Sequence, residues 1–104
     1  MLAFNWGYYS IITQKFSINN YVSLYFDNGV VNNDIFIKNN ANLIIYNGVI
    51  NGNITLYRGA KLRLFAGIIN GDIINYHGKV LSTKNSIITG KIINKGGVIK
   101  TNLN

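Results

Sequence analysis

The chain has 104 residues, enough for one small domain, and it contains neither cysteine nor proline. Disulfide bonds and thiolate metal sites are therefore excluded, and no proline interrupts a run of paired backbone. Apolar residues make up 48% of the chain and charged residues 12%, a balance too hydrophobic for a disordered segment. The formal charge of +7 is concentrated in the second half, because eight of the ten Lys and Arg residues follow Gly52.

Residues 1–9 form a unit of their own, rich in aromatic side chains. They lack the basic start, the apolar run and the cleavage site of a secretory signal. Phe4, Trp6, Tyr8 and Tyr9 are expected to cap the segment that follows; the alternative is a foot in the membrane interface, which Trp and Tyr favour. The chain is expected to be cytoplasmic or membrane-associated if it is complete, and extracellular if it is a mature or excised piece.

From Ser10 onward the chain repeats every nineteen residues, with no insertion or deletion between copies. The copies are residues 10–28, 29–47, 48–66, 67–85 and 86–104. Helical repeats need about 33 residues or more, and the β-branched, alternating pattern indicates strands. The sequence predicts an all-β, single-domain parallel β-solenoid (β-helix) of five coils with a roughly triangular cross-section. Strands are expected near positions 2–4, 6–10 and 13–18 of each repeat.

Three columns of the repeat are predicted to fill the core. The third and seventh positions are apolar in every copy, and the fifteenth is leucine until Lys100 replaces it in the last copy. These core columns contain Ile12, Val31, Ile50, Ile69, Ile88, Phe16, Ile35, Ile54, Ile73, Ile92, Leu24, Leu43, Leu62 and Leu81.

Glycine and asparagine mark the predicted corners. Glycine tolerates a positive φ, and the corner glycines are Gly52, Gly71, Gly90, Gly59, Gly78 and Gly97. At the fourth position, Asn32, Asn51 and Asn70 would stack at strand spacing and form an Asn ladder of hydrogen bonds. A corner-stabilising role is favoured for this ladder over a ligand-binding row.

Reactive side chains are few. The single histidine, His77, shares a column with Arg58 and is interpreted as a solvated turn residue. Asp34 and Asp72 share a column, but Asn53 separates them, so they form no carboxylate pair. We therefore predict that the protein is not an enzyme and that it has no catalytic residue, no cofactor and no metal site.

The basic residues of the second half are spread over several columns of the repeat. This spread favours solvated faces over one stripe that tracks a nucleic acid, so a specific nucleic acid is an unlikely partner. An acidic surface or a membrane is the partner that this charge would fit.

The repeat runs to Asn104 without a capping helix, and an open solenoid end presents strand edges that template further pairing. We therefore expect the protein's main partner to be itself, as an end-to-end homopolymer. The self-association residues at the two ends would be Phe4, Trp6, Tyr8, Tyr9, Ile99 and Leu103. The alternative is a fragment of an extracellular adhesin or fibre acting as a surface binding module. An enzyme or carbohydrate-binding spike ranks third, because clustered carboxylates are absent from the sequence.

The heptads GVINGNI, GIINGDI and SIITGKI, with RGAKLRL between the first two, resemble the G-x-V-x-G-x-I cadence of bactofilins, the polymer-forming bacterial cytoskeletal proteins. The resemblance covers roughly Gly48 to Ile92. It implies a right-handed β-helical core that polymerises without nucleotide and often touches the membrane through a short N-terminal segment. The glycine-punctuated period also resembles the passenger repeats of autotransporter adhesins, whose coils are exported.

Overall fold

The computed structural model describes residues 11–104 and the backbone of residues 3–6. Over this part of the chain every regular element is a strand. The strands are β1 (Ala3–Trp6), β2 (Ile11–Ile12), β3 (Phe16–Ile18), β4 (Ser23–Val31), β5 (Ile35–Ile37), β6 (Asn42–Ile50), β7 (Ile54–Leu56), β8 (Lys61–Leu64), β9 (Gly67–Ile69), β10 (Ile73–Asn75), β11 (Lys79–Thr83), β12 (Ile87–Ile88), β13 (Ile92–Asn94) and β14 (Val98–Leu103). They wind into a parallel β-solenoid of about five coils, which confirms the predicted fold class.

Each strand pairs in parallel with the strand one coil away, so two sheets run along the solenoid axis. The smaller sheet has the order β13-β10-β7-β5-β3, and in it Ile35 pairs with Ile54, which pairs with Ile73. The larger, nine-stranded sheet contains β1-β4-β6-β8-β11-β14, with β2, β9 and β12 paired alongside. A typical coil thus contributes three strand segments.

Two of these segments run together as one nine-residue strand in the first coils, in β4 and again in β6. Along β4 the buried positions change phase: Leu24 and Phe26 are buried before Asn28, and Gly29 and Val31 are buried after it. Asn28 has a φ of 59°, and the pairing with β6 shifts on either side of Asp27. The corner is therefore made inside a continuous strand by a one-residue irregularity.

The core is a column of inward-facing aliphatic side chains. Most members of the predicted third and seventh columns are buried, whereas the members at the two ends, Ile12, Phe16, Ile88 and Ile92, are partly buried and pack against them. Two further inward columns, which the sequence analysis did not single out, complete it. They contain Ile18, Ile37 and Leu56, and Phe26, Ile45 and Leu64.

The leucine column ends one coil earlier than predicted. Leu62 pairs with Val80, which is fully buried, whereas Leu81 pairs with Arg63 and is only half-buried. The assignment of Leu81 to the core is therefore wrong. The step between β8 and β11 is eighteen residues instead of nineteen, so the coils are not free of insertions and deletions. The nineteen-residue step returns where Ile87 pairs with Ile68.

The shortened step has its cause in the corner before β11. In the third coil this corner is closed by the backbone, where the Ala60 N–H donates to the Tyr57 carbonyl over 3.1 Å. In the fourth coil Asn75 stands where Leu56 stood, and its side chain closes the corner instead. The Gly78 N–H donates to Asn75 Oδ1 over 2.9 Å, and Asn75 Nδ2 donates to the Gly78 carbonyl over 3.0 Å. The corner closed by the Asn75 side chain is therefore one residue shorter than the corner closed by the backbone.

The shorter corner also changes which residue adopts a positive φ. Gly59 has a φ of 73° and precedes the buried Ala60, and His77 has a φ of 61° and precedes the buried Gly78. The Lys79 N–H donates to the Ala60 carbonyl, which places Gly78 beside Ala60. His77 therefore has the backbone conformation of Gly59, while its carbonyl accepts from the Gly59 N–H as the Arg58 carbonyl accepts from the Asn40 N–H.

Most of the corner glycines serve a purpose other than the predicted one. Gly59 alone among the six has a positive φ. A Cβ on Gly52 would overlap the Asn33 carbonyl, one on Gly71 the Gly52 carbonyl, and one on Gly90 the Gly71 carbonyl. The expectation of positive φ at Gly78 and Gly97 is likewise wrong, and a Cβ there would crowd the Asn75 side chain. Close stacking of successive backbones, rather than backbone conformation, selects glycine at these five positions.

Candidate assembly surfaces

The Asn ladder lies on an exposed corner and joins three coils. Asn51 Nδ2 donates to Asn32 Oδ1, and Asn70 Nδ2 donates to Asn51 Oδ1, both over 2.8 Å. Asn51 thus donates to the preceding coil and accepts from the following one, which suits the spacing of parallel strands. The ladder's amides are engaged with one another along the axis.

Side chains two residues further along the same turn are occupied in a similar way. Asp34 Oδ1 accepts from the Asn53 N–H, Asn53 Oδ1 accepts from the Asp72 N–H, and Asp72 Oδ1 accepts from the Lys91 N–H, each over 2.8 Å. These side chains bridge one coil to the backbone of the next. Within residues 3–6 and 11–104, no group of three or more His, Cys, Asp or Glu side chains could hold a metal ion.

Aromatic rings form two further stacks along the axis. In one of them, Tyr57 stacks on Tyr76 with 6.0 Å between ring centroids. Lys38 Nζ lies 4.9 Å from the centroid of the Tyr57 ring, and Lys95 Nζ lies 5.8 Å from the centroid of the Tyr76 ring, at the other end of the pair. Cations over ring faces are attracted by the ring quadrupole. A cation–π contact thus stabilises each end of this two-ring stack.

The C-terminal end of the solenoid exposes part of its core. β13 and β14 are the last strands of their sheets, each paired on one side only. Ile92 continues the column of Ile54 and Ile73, which are fully buried, yet Ile92 is only partly buried. Ile99 continues the column of Val80 in the same half-covered state, and Leu103 is exposed. One more coil would cover these side chains.

The N-terminal end has a comparable edge. β3 ends the smaller sheet, and Phe16 is partly buried there. On the larger sheet the edge strand is β1, which pairs with β4 at a step of twenty residues, as in Ala3 with Ser23. The predicted contact residues Phe4 and Trp6 lie on β1, whereas Tyr8 and Tyr9 lie outside the described residues.

The two ends match each other in strand direction. All strand pairings within the described residues are parallel, so the C-terminal end offers one hydrogen-bonding edge of each sheet and the N-terminal end offers the opposite edge. A second copy placed along the same axis would bring β13 beside β3 and β14 beside β1 in the parallel sense that the sheets already use. Ile92 would then meet Phe16.

No family model, no curated protein and no solved structure matches this chain. Within the described residues, no helix has the length and apolar character needed to cross a membrane. The strand pairing alone shows the β-solenoid, an architecture that fits a structural or repeat protein. The likeness to bactofilins rests only on the heptads quoted above.

Proposed function

We propose that this protein is a non-enzymatic structural subunit that stacks end to end into a filament or scaffold, in the manner of bactofilins. The observation that carries the proposal is the half-covered core at both ends. Ile92 is partly exposed although its column partners Ile54 and Ile73 are fully buried. Edge strands with this apolar flank are the kind that template further pairing.

The shortened step between β8 and β11 supports the proposal further. With nineteen residues in every step, Lys100 would stand in the leucine column and place a charge in the end of the core. The observed pairing puts Ile99 after Val80 and leaves Lys100 on the outer side of β14, paired with Leu81. The column of Leu62, Val80 and Ile99 is therefore apolar to the C-terminal edge, which favours a stacking surface there.

The energetic terms favour a concentration-dependent association. Full burial of an aliphatic side chain contributes about 1.5–3 kcal/mol, and several side chains at each end are only partly buried. Backbone hydrogen bonds at two sheet edges add to this, against a cost of about 4–15 kcal/mol for lost translation and rotation. Assembly should thus depend on protein concentration.

Negative-stain electron microscopy of the purified chain at rising concentration tests the proposal. We expect uniform filaments above a threshold concentration. Ile92→Lys should abolish them while β-type circular dichroism persists, because the lysine can reach solvent in the free subunit but not in a stacked joint. Ile87→Lys is the matched control, since Ile87 is 53% exposed in the same coil; it should leave filaments intact.

Dispersed particles at every concentration would contradict the proposal. The open end would then be the place where further coils of a longer chain continue, and a surface binding module of adhesin type would be the function to pursue.

A further inference from the structure

The outer side of β8, β11 and β14 carries a cluster of cations, here named the basic face. Leu62, Leu64 and Val80 point into the core, so the alternating neighbours point outward. The outward cations are Lys61, Arg63, Lys79 and Lys100.

The eighteen-residue step brings these cations together. Lys61 pairs with Lys79, whereas a nineteen-residue step would pair Lys61 with Val80. Leu81 lies between Arg63 and Lys100 in the next row. Neighbouring strands are about 4.8 Å apart and alternate residues about 6.7 Å apart, so the four cations occupy a small area.

No acidic residue neutralises the face locally. The strand sequences KLRL, KVLST and VIKTNL contain no Asp or Glu. Asp34 and Asp72 accept backbone N–H groups at a different corner of the coil. Like charges on paired positions repel and destabilise the sheet, so a surface of this kind is stabilised by a polyanion.

An aromatic stack ends at the margin of the basic face. Tyr25 stacks on Tyr46 and Tyr46 on Phe65, with centroids 6.4 Å and 5.3 Å apart. In the next coil the Thr83 hydroxyl donates to the Phe65 carbonyl, so a small side chain stands where the stack would continue. Phe65 is 41% exposed and forms one wall of a mostly apolar hollow that Arg63 and Leu81 also line.

We propose that the basic face binds single-stranded nucleic acid without sequence preference. A base continues the aromatic stack on Phe65 inside the hollow, and flanking phosphates contact Arg63, Lys79 and Lys100. Cationic grooves beside stacking aromatics are the general means of holding single strands. A duplex keeps its bases inside the helix and could not reach Phe65, and a bilayer or an acidic protein would engage the charges alone. No base-edge reader is invoked, which agrees with the expectation that specific recognition is unlikely.

The test is fluorescence anisotropy with a labelled oligothymidylate of about twelve nucleotides and a duplex of the same length. Protein is kept below the concentration at which it assembles, so the result is independent of filament formation. We expect the single strand to bind more tightly than the duplex. Phe65→Ala, which leaves every charge in place, should weaken single-strand binding about 5- to 150-fold, as loss of one stacked base does.

Charge variants separate the basic face from net charge. Lys79→Gln should weaken binding and lower the slope of log K against log salt by about 0.7, the value for one phosphate contact on a single strand. Lys91→Gln removes the same charge from an exposed corner and should leave both affinity and slope unchanged. Circular dichroism checks that all three variants fold.

Three outcomes would overturn the proposal. Absence of binding at about 50 mM salt would exclude a nucleic-acid surface. Equal binding of duplex and single strand with no effect of Phe65→Ala would reduce the face to a general polyanion surface. Binding to phosphatidylserine vesicles but not to the oligonucleotide would assign it to membranes.

Discussion

The second and third coils and the last two coils share one sequence period but close the same corner differently. In the third coil, Leu56 and Ala60 are buried and the backbone makes the turn. In the fourth, the fully buried Asn75 makes it with its amide, and Asn94 repeats that arrangement with Gly97 in the fifth. A constant period in the sequence therefore does not guarantee a constant register in the structure.

The difference lies in how a corner position is satisfied. Leu56 contributes apolar burial, whereas Asn75 brings two polar groups that must be paired inside the protein. Asn75 Nδ2 has the Gly78 carbonyl and Asn94 Oδ1 as acceptors, at 3.0 Å and 3.2 Å. Because a buried polar group is tolerated only when it is hydrogen-bonded, the amide dictates the length of the corner.

A charge placed on each side of β11 tests its eighteen-residue register most directly. Val80→Asp should destabilise the fold by about 3–5 kcal/mol, because it buries an unpaired carboxylate. Leu81→Asp is the matched control on the outer side and should change stability by about 1 kcal/mol or less. Urea unfolding of both variants measures the difference. The reverse ranking would mean that the nineteen-residue step persists in solution.

Glycine substitutions distinguish a corner that stacks tightly from one that needs a positive φ. Gly71→Ala should cost about 2–3 kcal/mol, because the new methyl group overlaps the Gly52 carbonyl. Gly59→Asn should cost less than about 1 kcal/mol, since Asn tolerates a positive φ, as Asn40 does one coil earlier. The Cβ would overlap the end of the Asn40 side chain, which is exposed and can turn away, whereas the Gly52 carbonyl cannot. Thermal unfolding followed by circular dichroism would compare them. A tolerated Gly71→Ala would refute backbone stacking as the reason for this glycine.

Removing Asn75 and Asn94 separately shows how much of the effect depends on burial of the asparagine side chain. Asn75→Ala should cost about 2 kcal/mol, because it leaves the Gly78 N–H without its partner inside the protein. Asn94→Ala removes the same pair of hydrogen bonds at an exposed position and should cost less, about 0.5–1 kcal/mol, because water replaces the lost bonds. Chemical denaturation gives both values. Equal effects would show that burial of Asn75 is not what matters.

A small effect is also expected at the Asn ladder, which belongs to the regular part of the solenoid. Asn51→Ala removes one donated and one accepted hydrogen bond at an exposed corner and should cost about 1 kcal/mol. Asn39→Ala, at another exposed corner position, serves as the control and should be nearly neutral. Differential scanning calorimetry is sensitive enough for this range. Indistinguishable melting curves would mean that the ladder contributes nothing to stability.

The repeat was sufficient to predict the solenoid, the number of coils and most of the core, because β-branched columns such as Ile35, Ile54 and Ile73 have one inward phase. It was insufficient at β11. There Val80 and Leu81 are both apolar, so either phase of the strand buries a hydrophobic side chain, and the pattern cannot choose between them. Only the length of the preceding corner decides, and that depends on a side-chain hydrogen bond of Asn75.

The same uncertainty concealed the basic face. If every coil is taken as nineteen residues, Lys61 and Lys79 fall in different columns, and the basic residues are dispersed as predicted from the sequence. Counted as the strands pair, they are neighbours. The signal that could have revealed this is the recurrence of Asn-x-x-Gly at residues 75–78 and 94–97, where earlier coils have an apolar residue and alanine.

Strand partners along the whole solenoid are eighteen to twenty residues apart, as Leu62 with Val80, Ile35 with Ile54 and Phe4 with Leu24 show. The entropic cost of closing the next loop is therefore almost the same for every coil and does not rise as the chain lengthens. A chain emerging from the ribosome can lay each new coil on the finished one beneath it, with no wait for a distant partner. Gene duplication could lengthen such a protein by whole coils without redesign of those already present.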